Sequence, residues 1–122
     1  MKFAKRLILI SILFTSCAFA DSRNYVPGIS DLPVPLNFHL KNDTSSVFYN
    51  DSGRIVEAVF QGQARGDEIK EFYNVTLKAL GWERVGVLKY VREKELLEIT
   101  TKSIDDDQFN TLEVNFSLKP NN

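Results

Sequence analysis

The sequence has very few of the residues from which metal sites and thiol chemistry are built. Its 122 residues include one histidine, His39, and one cysteine, Cys17. A lone histidine excludes a histidine-based metal cluster and a two-histidine proton relay, and a lone cysteine excludes an internal disulfide. A phosphate-binding loop is also missing, because Gly62 and Gly66 lack the required spacing and the following lysine. With no catalytic constellation left, we predict a protein that is not an enzyme and carries no metal or cofactor.

The longest apolar run in the chain is too short to span a membrane. It covers residues 7–14, whereas a helix that crosses a bilayer needs about 20 apolar residues. Three basic residues precede this run, and Ala18-Phe19-Ala20 follows it as a small-x-small cleavage site. This order is typical of a secretory signal peptide. We therefore predict that residues 1–20 are a signal peptide and that the mature chain is exported to a bacterial periplasm.

Cys17 allows a second fate for the leader. Ser16-Cys17 matches the end of a bacterial lipoprotein signal, although Phe14 stands where that signal usually has a branched aliphatic residue. Cleavage after Ala20 would leave no cysteine in the mature chain, whereas lipidation of Cys17 would make a membrane-anchored lipoprotein. Contact with a membrane is expected only if Cys17 is lipidated or the leader is retained.

The charge of the chain argues against a nucleic-acid partner. The formal net charge is −1, and it becomes −4 without residues 1–20, which contribute three basic residues and no acidic one. Nucleic-acid binding needs a basic surface patch, whereas the two signs are interspersed along this chain. About 100 mature residues form one domain with one modest core, which we place at residues 41–120.

Residues 21–40 are predicted to form an extended, proline-containing arm. Three prolines in this segment block helix formation and remove backbone donors. Apolar residues alternate in its second half, so that one side of the arm can lie on the domain: Leu32, Val34, Leu36 and Phe38. Two interpretations follow. The arm is either a strap over a sheet edge or the end of the core, or it is a partner-binding or spacer segment.

The spacing of apolar residues then predicts a hairpin followed by a helix. Short strands at 47–49 and 54–61 flank the reverse-turn cluster Asn50-Asp51-Ser52-Gly53. The period changes to that of a helix over residues 67–80, which carries one apolar stripe: Ile69, Phe72, Tyr73, Thr76, Leu77 and Leu80. Gly81 is placed for the left-handed position after the helix, and Trp82 would then fold back onto the last turn.

Alternating residues after the helix predict three further strands. They cover 83–90, with a break at Gly86, then 97–102 and 111–118. Asp105-Asp106-Asp107 is interpreted as a solvated hairpin loop, because the spaced ligands of a calcium loop are missing. Strands with one polar face indicate an antiparallel sheet. The predicted fold is α+β, of order roughly ββαβββ, with one amphipathic helix packed on the sheet.

The aromatic end of the helix–sheet core is the candidate binding site. Trp82, Tyr73 and Phe60 would line a groove there for an apolar ligand or a partner chain, and packing in the core explains their spacing equally well. Three acidic residues at outward-facing strand positions are interpreted as solvated rather than as a glycosidase pair: Glu57, Glu98 and Glu113.

Four segments of the sequence resemble a group of small exported alphaproteobacterial proteins of unknown function. They are Ile29-Ser30-Asp31-Leu32-Pro33-Val34-Pro35, Gly53-Arg54-Ile55-Val56-Glu57-Ala58-Val59, Phe72-Tyr73 and Leu80-Gly81-Trp82. The resemblance covers nearly the whole mature chain. It implies one domain, a bacterial exported setting and a Phe-Tyr…Leu-Gly-Trp helix packed on a sheet. It implies no reaction, ligand or catalytic residue.

These observations predict a non-catalytic exported module of the periplasm or cell envelope. It would act as a binding or structural module through protein–protein contacts, with an unknown envelope protein as its partner, because an exposed strand edge can accept an added strand. The alternative is a binder of a small apolar ligand or a lipid that uses the aromatic end of the core.

Overall fold

The computed structural model describes residues 24–104 and 111–122. Its elements in chain order are β1 (His39–Leu40), β2 (Ser46–Asn50), β3 (Gly53–Gln63), α1 (Gly66–Ala79), β4 (Glu83–Gly86), β5 (Lys89–Arg92), β6 (Glu95–Ser103) and β7 (Thr111–Pro120). The predicted leader, with Cys17 and Ala20, and the acidic loop at 105–107 lie outside the described residues.

The strands form one antiparallel sheet with the helix on one face. The strand order is β1-β3-β7-β6-β5-β4, and β2 also pairs with β3. Ala58 of β3, Phe116 of β7 and Ile99 of β6 lie in one cross-strand row, and all three side chains are buried. Because successive side chains alternate between faces, the rows on either side of this one face solvent. The predicted α+β fold is confirmed.

The order of the elements along the chain differs from the prediction in two details. A short strand, β1, precedes the predicted hairpin, and the predicted strand at 83–90 is divided into β4 and β5. The division lies just after Gly86, where Leu88 takes a positive φ of 52°. The carbonyl of Leu88 accepts a hydrogen bond from the amide of Ile99 at 2.9 Å, so this turn is tied to β6.

Helix α1 packs on the sheet through the predicted apolar stripe. Ile69, Tyr73 and Leu77 are buried, and the ring of Tyr73 meets that of Phe116 edge-on at 5.5 Å between centroids. Complete burial of such side chains contributes about 1.5–3 kcal/mol each before the loss of entropy. A helix of 14 residues is marginal alone in water, so the sheet contact stabilises it.

The helix ends as its sequence predicts. Gly81 takes a φ of 87°, which is the left-handed conformation that glycine adopts most easily. The amide of Gly81 donates to the carbonyl of Lys78 at 3.2 Å, and the amide of Trp82 donates to that of Leu77 at 2.9 Å. These two bonds form a Schellman motif, which turns the chain and directs Trp82 back onto the core.

The proline-containing segment contributes five side chains to the same core as the sheet and helix. They are Val26, Ile29, Leu32, Val34 and Phe38, each with at most 2 % of its surface exposed. Its described part does not run straight, because Tyr25 and Pro33 form an antiparallel bridge. The segment thus closes into a loop that packs on the core. We call residues 24–38 the N-terminal loop.

The predicted alternation along this segment is wrong at Leu36, which is 70 % exposed. The chain turns at Leu36 and Asn37, where Asn37 takes a φ of 67° and the amide of Phe38 donates to the carbonyl of Pro35. This turn interrupts the alternation of side chains. Leu36 in the turn faces solvent, and Phe38 after the turn is buried in the core. Within the described ranges, no helix is long and apolar enough to cross a membrane.

Candidate functional site

Trp82 lies at the point where helix, sheet and the N-terminal loop meet. Its side chain is 4 % exposed, and the guanidinium carbon of Arg92 lies 4.3 Å above its ring. A cation stacked on an indole is a favourable contact of about 0.5–2 kcal/mol. The indole Nε1 is buried and has no hydrogen-bond partner in the described part of the chain, which costs about 1–3 kcal/mol.

Arg92 joins three parts of the molecule beside this ring. Its Nη1 and Nη2 donate to the two carboxylate oxygens of Asp31 at 2.7 and 3.3 Å, and Nη1 also donates to the carbonyl of Leu80 at 3.0 Å. These hydrogen bonds from Arg92 hold the pKa of Asp31 below its usual range. A cation is favourable here because the C-terminus of a helix carries partial negative charge. Arg92 thus holds the loop, α1 and β5 around Trp82.

A groove of about 560 Å³ opens between α1 and the β4–β5 hairpin. We call it the Trp82 groove; it is lined by Asn74, Lys78, Trp82, Glu83, Arg84 and Tyr90. Tyr90 and Trp82 close the base of the groove, but both side chains are buried, with 1 % and 4 % of their surface exposed, so the groove presents very little aromatic surface. The hydroxyl of Tyr90 donates to Oδ1 of Asn74. Burial raises the pKa of Tyr90, against the opposing effect of Arg84.

The rim of the Trp82 groove carries more hydrogen-bond donors than acceptors. Lys78, Glu83 and Arg84 are exposed, and Lys78 forms no ion pair with any other described residue. Arg84 uses Nε to donate to the carbonyl of Gly86 at 3.1 Å, which leaves its two Nη groups available. The amide nitrogen of Asn74 is also available, because Oδ1 takes the bond from Tyr90. Only Glu83 brings a negative charge.

Tyr73 and Phe60, the other two predicted binding residues, lie in the core. Their side chains are 0 % and 2 % exposed, and both rings pack edge-on against Phe116, at 5.5 and 5.7 Å. The hydroxyl of Tyr73 donates to the carbonyl of Pro33 at 2.8 Å, so it holds the N-terminal loop against the helix. Of the three predicted residues, only Trp82 lines the groove.

Strand β2, which the sequence predicts as a strand but not as an exposed surface, presents an apolar edge. Val47, Phe48 and Tyr49 are 41, 60 and 73 % exposed. The strand pairs with β3 along one side, from Ser46 opposite Glu57 to Asn50 opposite Gly53. Its other side has no strand partner among residues 24–104 and 111–122.

The two faces of β2 differ in what covers them. Val47 lies opposite Val56, which is buried, so it faces the core side. The loop reaches it there, because a Cβ added to Gly28 would lie 2.6 Å from Cγ2 of Val47. Phe48 lies opposite Ile55 on the other face, which faces solvent. The strand is thus held by β3 and by the loop, while no other described strand pairs with its outer edge.

The opposite end of the sheet is protected in a way that β2 is not. Strand β4 has only four residues, its pairing with β5 shifts register between Arg84 and Gly86, and it begins with Glu83 and Arg84. Charge and an irregular register are usual devices that keep an edge strand from pairing with other chains, and they distinguish β4 from β2, which is only one residue longer. Strand β2 has no charged residue and no proline.

The remaining predicted polar residues form no catalytic arrangement. His39 is exposed on β1. Glu57 is exposed, while Glu98 lies 3.7 Å from Lys119 and Glu113 lies 3.6 Å from Lys41, measured from carboxylate oxygen to Nζ. In the two described ranges, no group of three or more histidine, cysteine or acidic side chains is placed to hold a metal ion.

No model of a protein family, no curated protein and no solved structure matches this chain. The resemblance to exported alphaproteobacterial proteins therefore stays a prediction.

Proposed function

We propose that the protein is a non-catalytic, exported binding module that takes up an extended segment of a partner protein along the outer edge of β2. The observation that supports this proposal is an open, uncharged edge strand that carries exposed aromatic side chains. Addition of a strand supplies main-chain hydrogen bonds for affinity, while pockets for alternate side chains supply specificity.

The contrast between the two ends of the sheet supports the choice of β2. An edge with unpaired backbone groups and apolar side chains promotes aggregation, and sheets protect such edges when no partner uses them. Protection is present at β4 and missing at β2. Large exposed apolar side chains that lie together also mark interaction surfaces. An edge left open for a partner explains both observations together.

The fold holds β2 in an ordered, extended conformation without a partner. Five residues of β2 are aligned in register with β3, and the turn at Gly28 contacts Val47 from the core side. The strand is therefore ordered before a partner arrives, which lowers the entropy that binding must overcome. A partner strand would meet Phe48 on one face of the sheet and Tyr49 on the other, because neighbouring residues alternate.

The proposed location rests on the leader. Residues 1–20 have the charged, apolar and small-residue regions of a signal peptide, so the partner belongs to the bacterial periplasm or envelope. Lipidation at Cys17 would place the same module at a membrane surface. The edge of β2 would bind the partner segment in either case.

Site-specific photocross-linking in the native host tests the proposal. A photoreactive phenylalanine analogue replaces Phe48 in one full-length chain and Val75 in another, since Val75 is also exposed, at 67 %, but lies on α1. We expect Phe48 to give a discrete product with one envelope protein, and Val75 to give none with that protein. The same product from both positions, or from neither, would contradict the proposal, and a product of two copies of this chain would replace the partner with a homodimer.

A charge placed on the edge gives an independent readout. We expect Phe48→Lys to abolish the cross-linked complex when the analogue stands at Tyr49, because an edge lysine opposes pairing. Val75→Lys is the matched control and leaves the complex unchanged. Retention of the complex in Phe48→Lys would show that the partner binds elsewhere.

A further inference from the structure

We propose that the partner segment at the edge of β2 carries an apolar residue opposite Phe48 and a lysine or arginine two positions away, opposite Ser46. This inference rests on the proposed function, to which it adds the chemistry of the partner. Three features of the edge support it: the direction in which its backbone groups point, the side chains on its solvent face and the charges around it.

The hydrogen bonds of Val59 in β3 show which backbone groups of β2 are free. The carbonyl of Val59 accepts a bond from the amide of Lys41 at 2.8 Å, and the amide of Val59 donates to Oγ1 of Thr44 at 3.2 Å. Both groups of Val59 thus point to the side of β3 on which β1 and β2 lie. Backbone groups alternate between the two sides of an antiparallel strand, and β3 has no register shift in its pairing with β2 or β7. The groups of Ile55, four positions before Val59, therefore also point to β2.

The free backbone groups of β2 belong to Val47 and Tyr49. Phe48 lies opposite Ile55 and therefore exchanges its backbone hydrogen bonds with β3. Val47 and Tyr49 consequently direct their N–H and C=O groups outward, where no strand of the described chain pairs with them. A partner strand would bond to these two residues. Its side chains at the level of Phe48 and Ser46 would then lie on the solvent face of the sheet.

The solvent face beside this edge is apolar at one level and acidic at the next. Phe48 is 60 % exposed and lies next to Ile55. Ser46 lies opposite Glu57, which is exposed and forms no ion pair with a described residue. Neighbouring strands lie about 4.8 Å apart, so a partner strand would lie about 10 Å from β3. Because the side chain of Ser46 is small, a long basic side chain of the partner can extend across it to Glu57.

Two further carboxylates flank the edge. Asp43 lies in the turn before β2 and Asp51 in the turn after it; both are exposed, and neither forms an ion pair within the described ranges. Two basic side chains near these turns already pair with carboxylates: Lys41 with Glu113 at 3.6 Å and Arg54 with Glu95 at 2.8 Å. Lys94 and Glu93, which line a cavity with Tyr49, carry opposite charges. The surroundings of the edge thus complement a basic segment.

The same charges oppose a second copy of this chain as the occupant. An antiparallel copy that bonds to Val47 and Tyr49 in the same way would place the two Phe48 residues opposite each other. The Asp51 end of each copy would then lie beside the Asp43 end of the other. Like charges that face each other across strands are destabilising, whereas a basic segment would neutralise them.

Three short peptides with blocked ends test the preference. They are Lys-Thr-Val-Thr-Lys, Gln-Thr-Val-Thr-Gln and Glu-Thr-Val-Thr-Glu, and each reads the same in both directions, so each fits a parallel or an antiparallel arrangement. Isotope-labelled protein, as processed by its host, is titrated with each peptide, and chemical shifts give the Kd. We expect the lowest Kd for the lysine peptide and the highest for the glutamate peptide. Hydrogen exchange should slow at the amides of Val47 and Tyr49 but not at Phe48, which is already bonded to β3.

A variant at Glu57 separates a local contact from the overall charge. We expect Glu57→Gln to raise the Kd for the lysine peptide about two- to fivefold, which is the range of exposed charge pairs, and to leave the Kd for the glutamine peptide unchanged. Glu71→Gln is the matched control, because Glu71 is also exposed but lies on α1, on the other face of the sheet. It should change neither Kd. Both substituted side chains are exposed, and circular dichroism checks that each variant is folded.

Several results would overturn the inference. Equal Kd values for the lysine and glutamate peptides, with Val47 and Tyr49 still protected, would refute the basic partner and leave the proposed function intact. Equal effects of Glu57→Gln and Glu71→Gln would attribute the preference to overall charge. No protection of Val47 and Tyr49 by any peptide would also refute this inference, and the cross-link from Phe48 in the native host then decides the proposed function separately.

Discussion

Removal of one buried hydroxyl should show how strongly the N-terminal loop stabilises the domain. In Tyr73→Phe, the ring keeps its contact with Phe116, but the bond of 2.8 Å to the carbonyl of Pro33 is lost. Pro33 is buried, and its carbonyl accepts no other bond from the described residues. The substitution therefore leaves a buried acceptor without a donor.

The expected loss follows from these two effects. An ordinary hydrogen bond contributes about 0.5–1.5 kcal/mol net, and a buried group left unsatisfied costs about 1–3 kcal/mol. We expect the free energy of unfolding to fall by about 1–3 kcal/mol in Tyr73→Phe. With a urea m-value of about 1–1.5 kcal/mol/M for a chain of this length, the unfolding midpoint should fall by roughly 0.7–3 M.

Urea unfolding followed by circular dichroism measures this change. Tyr49→Phe is the control, because Tyr49 is 73 % exposed and should change the free energy of unfolding by less than about 0.5 kcal/mol. If Tyr73→Phe also stays within about 0.5 kcal/mol of the unmodified protein, the hydroxyl does not hold the loop and the reasoning is refuted.

The same hydroxyl should make the protein unstable in alkali. Burial raises the pKa of Tyr73 well above its usual value, so the folded state keeps a proton that the unfolded state loses above about pH 10. The contribution of this phenol to the free energy of unfolding is fully present below about pH 10. Above that pH it falls by about 1.4 kcal/mol per pH unit. Tyr73→Phe should lose that part of the slope. An unchanged slope would contradict burial of an ionisable phenol.

The remaining predictions concern a close backbone contact and an ion pair. In Gly62→Ala the new Cβ would lie 2.5 Å from Cδ2 of Phe38 and 2.8 Å from the carbonyl oxygen of Asn37. Urea unfolding should therefore show a loss of about 1–3 kcal/mol in the free energy of unfolding. An unchanged free energy of unfolding would mean that the loop shifts freely. Asp31→Asn should cost less than about 1 kcal/mol at neutral pH, because the pair with Arg92 is partly exposed. Since the pKa of Asp31 is lowered in the folded state by its hydrogen bonds from Arg92, this contribution is complete above about pH 4 and is lost as the pH falls through the folded-state pKa. A difference between the two proteins that does not shrink as the pH falls below about 4 would contradict it.

Local patterns predicted the helix and its end because the relevant interactions are close in sequence. The apolar stripe from Ile69 to Leu80 repeats at helical spacing, and a glycine after the stripe is a direct signal for the left-handed turn. Both interactions join residues within one or two turns. The predicted helix at 67–80 therefore differs by one residue at each end from Gly66–Ala79.

The N-terminal loop was harder to predict because its burial depends on distant residues. Its prolines indicated an irregular segment, but the partner of Pro33 is Tyr73, forty positions later. Spacing alone also made Tyr73, Phe60 and Trp82 equal candidates for a groove. Cross-strand register placed Phe60 in the core, packing of α1 on the sheet placed Tyr73 there, and the β4–β5 hairpin formed the groove beside Trp82. The exposure of β2 had no local signal, since Val47, Phe48 and Tyr49 would suit a buried strand equally well.

The position of β7 has a consequence for how the protein is made. This strand follows all the other described strands in the chain, yet it lies in the middle of the sheet, between β3 and β6. Among the described strands, those before the helix (β1 to β3) form no hydrogen bonds with β4 to β6 after it. Strand β7 joins the two groups by pairing with β3 and with β6. Loop closure over such distances slows folding. A chain that is still emerging would thus lack its complete sheet until residues 111–120 arrive. In the export that we propose, this delay would keep the chain open for passage through a translocation channel.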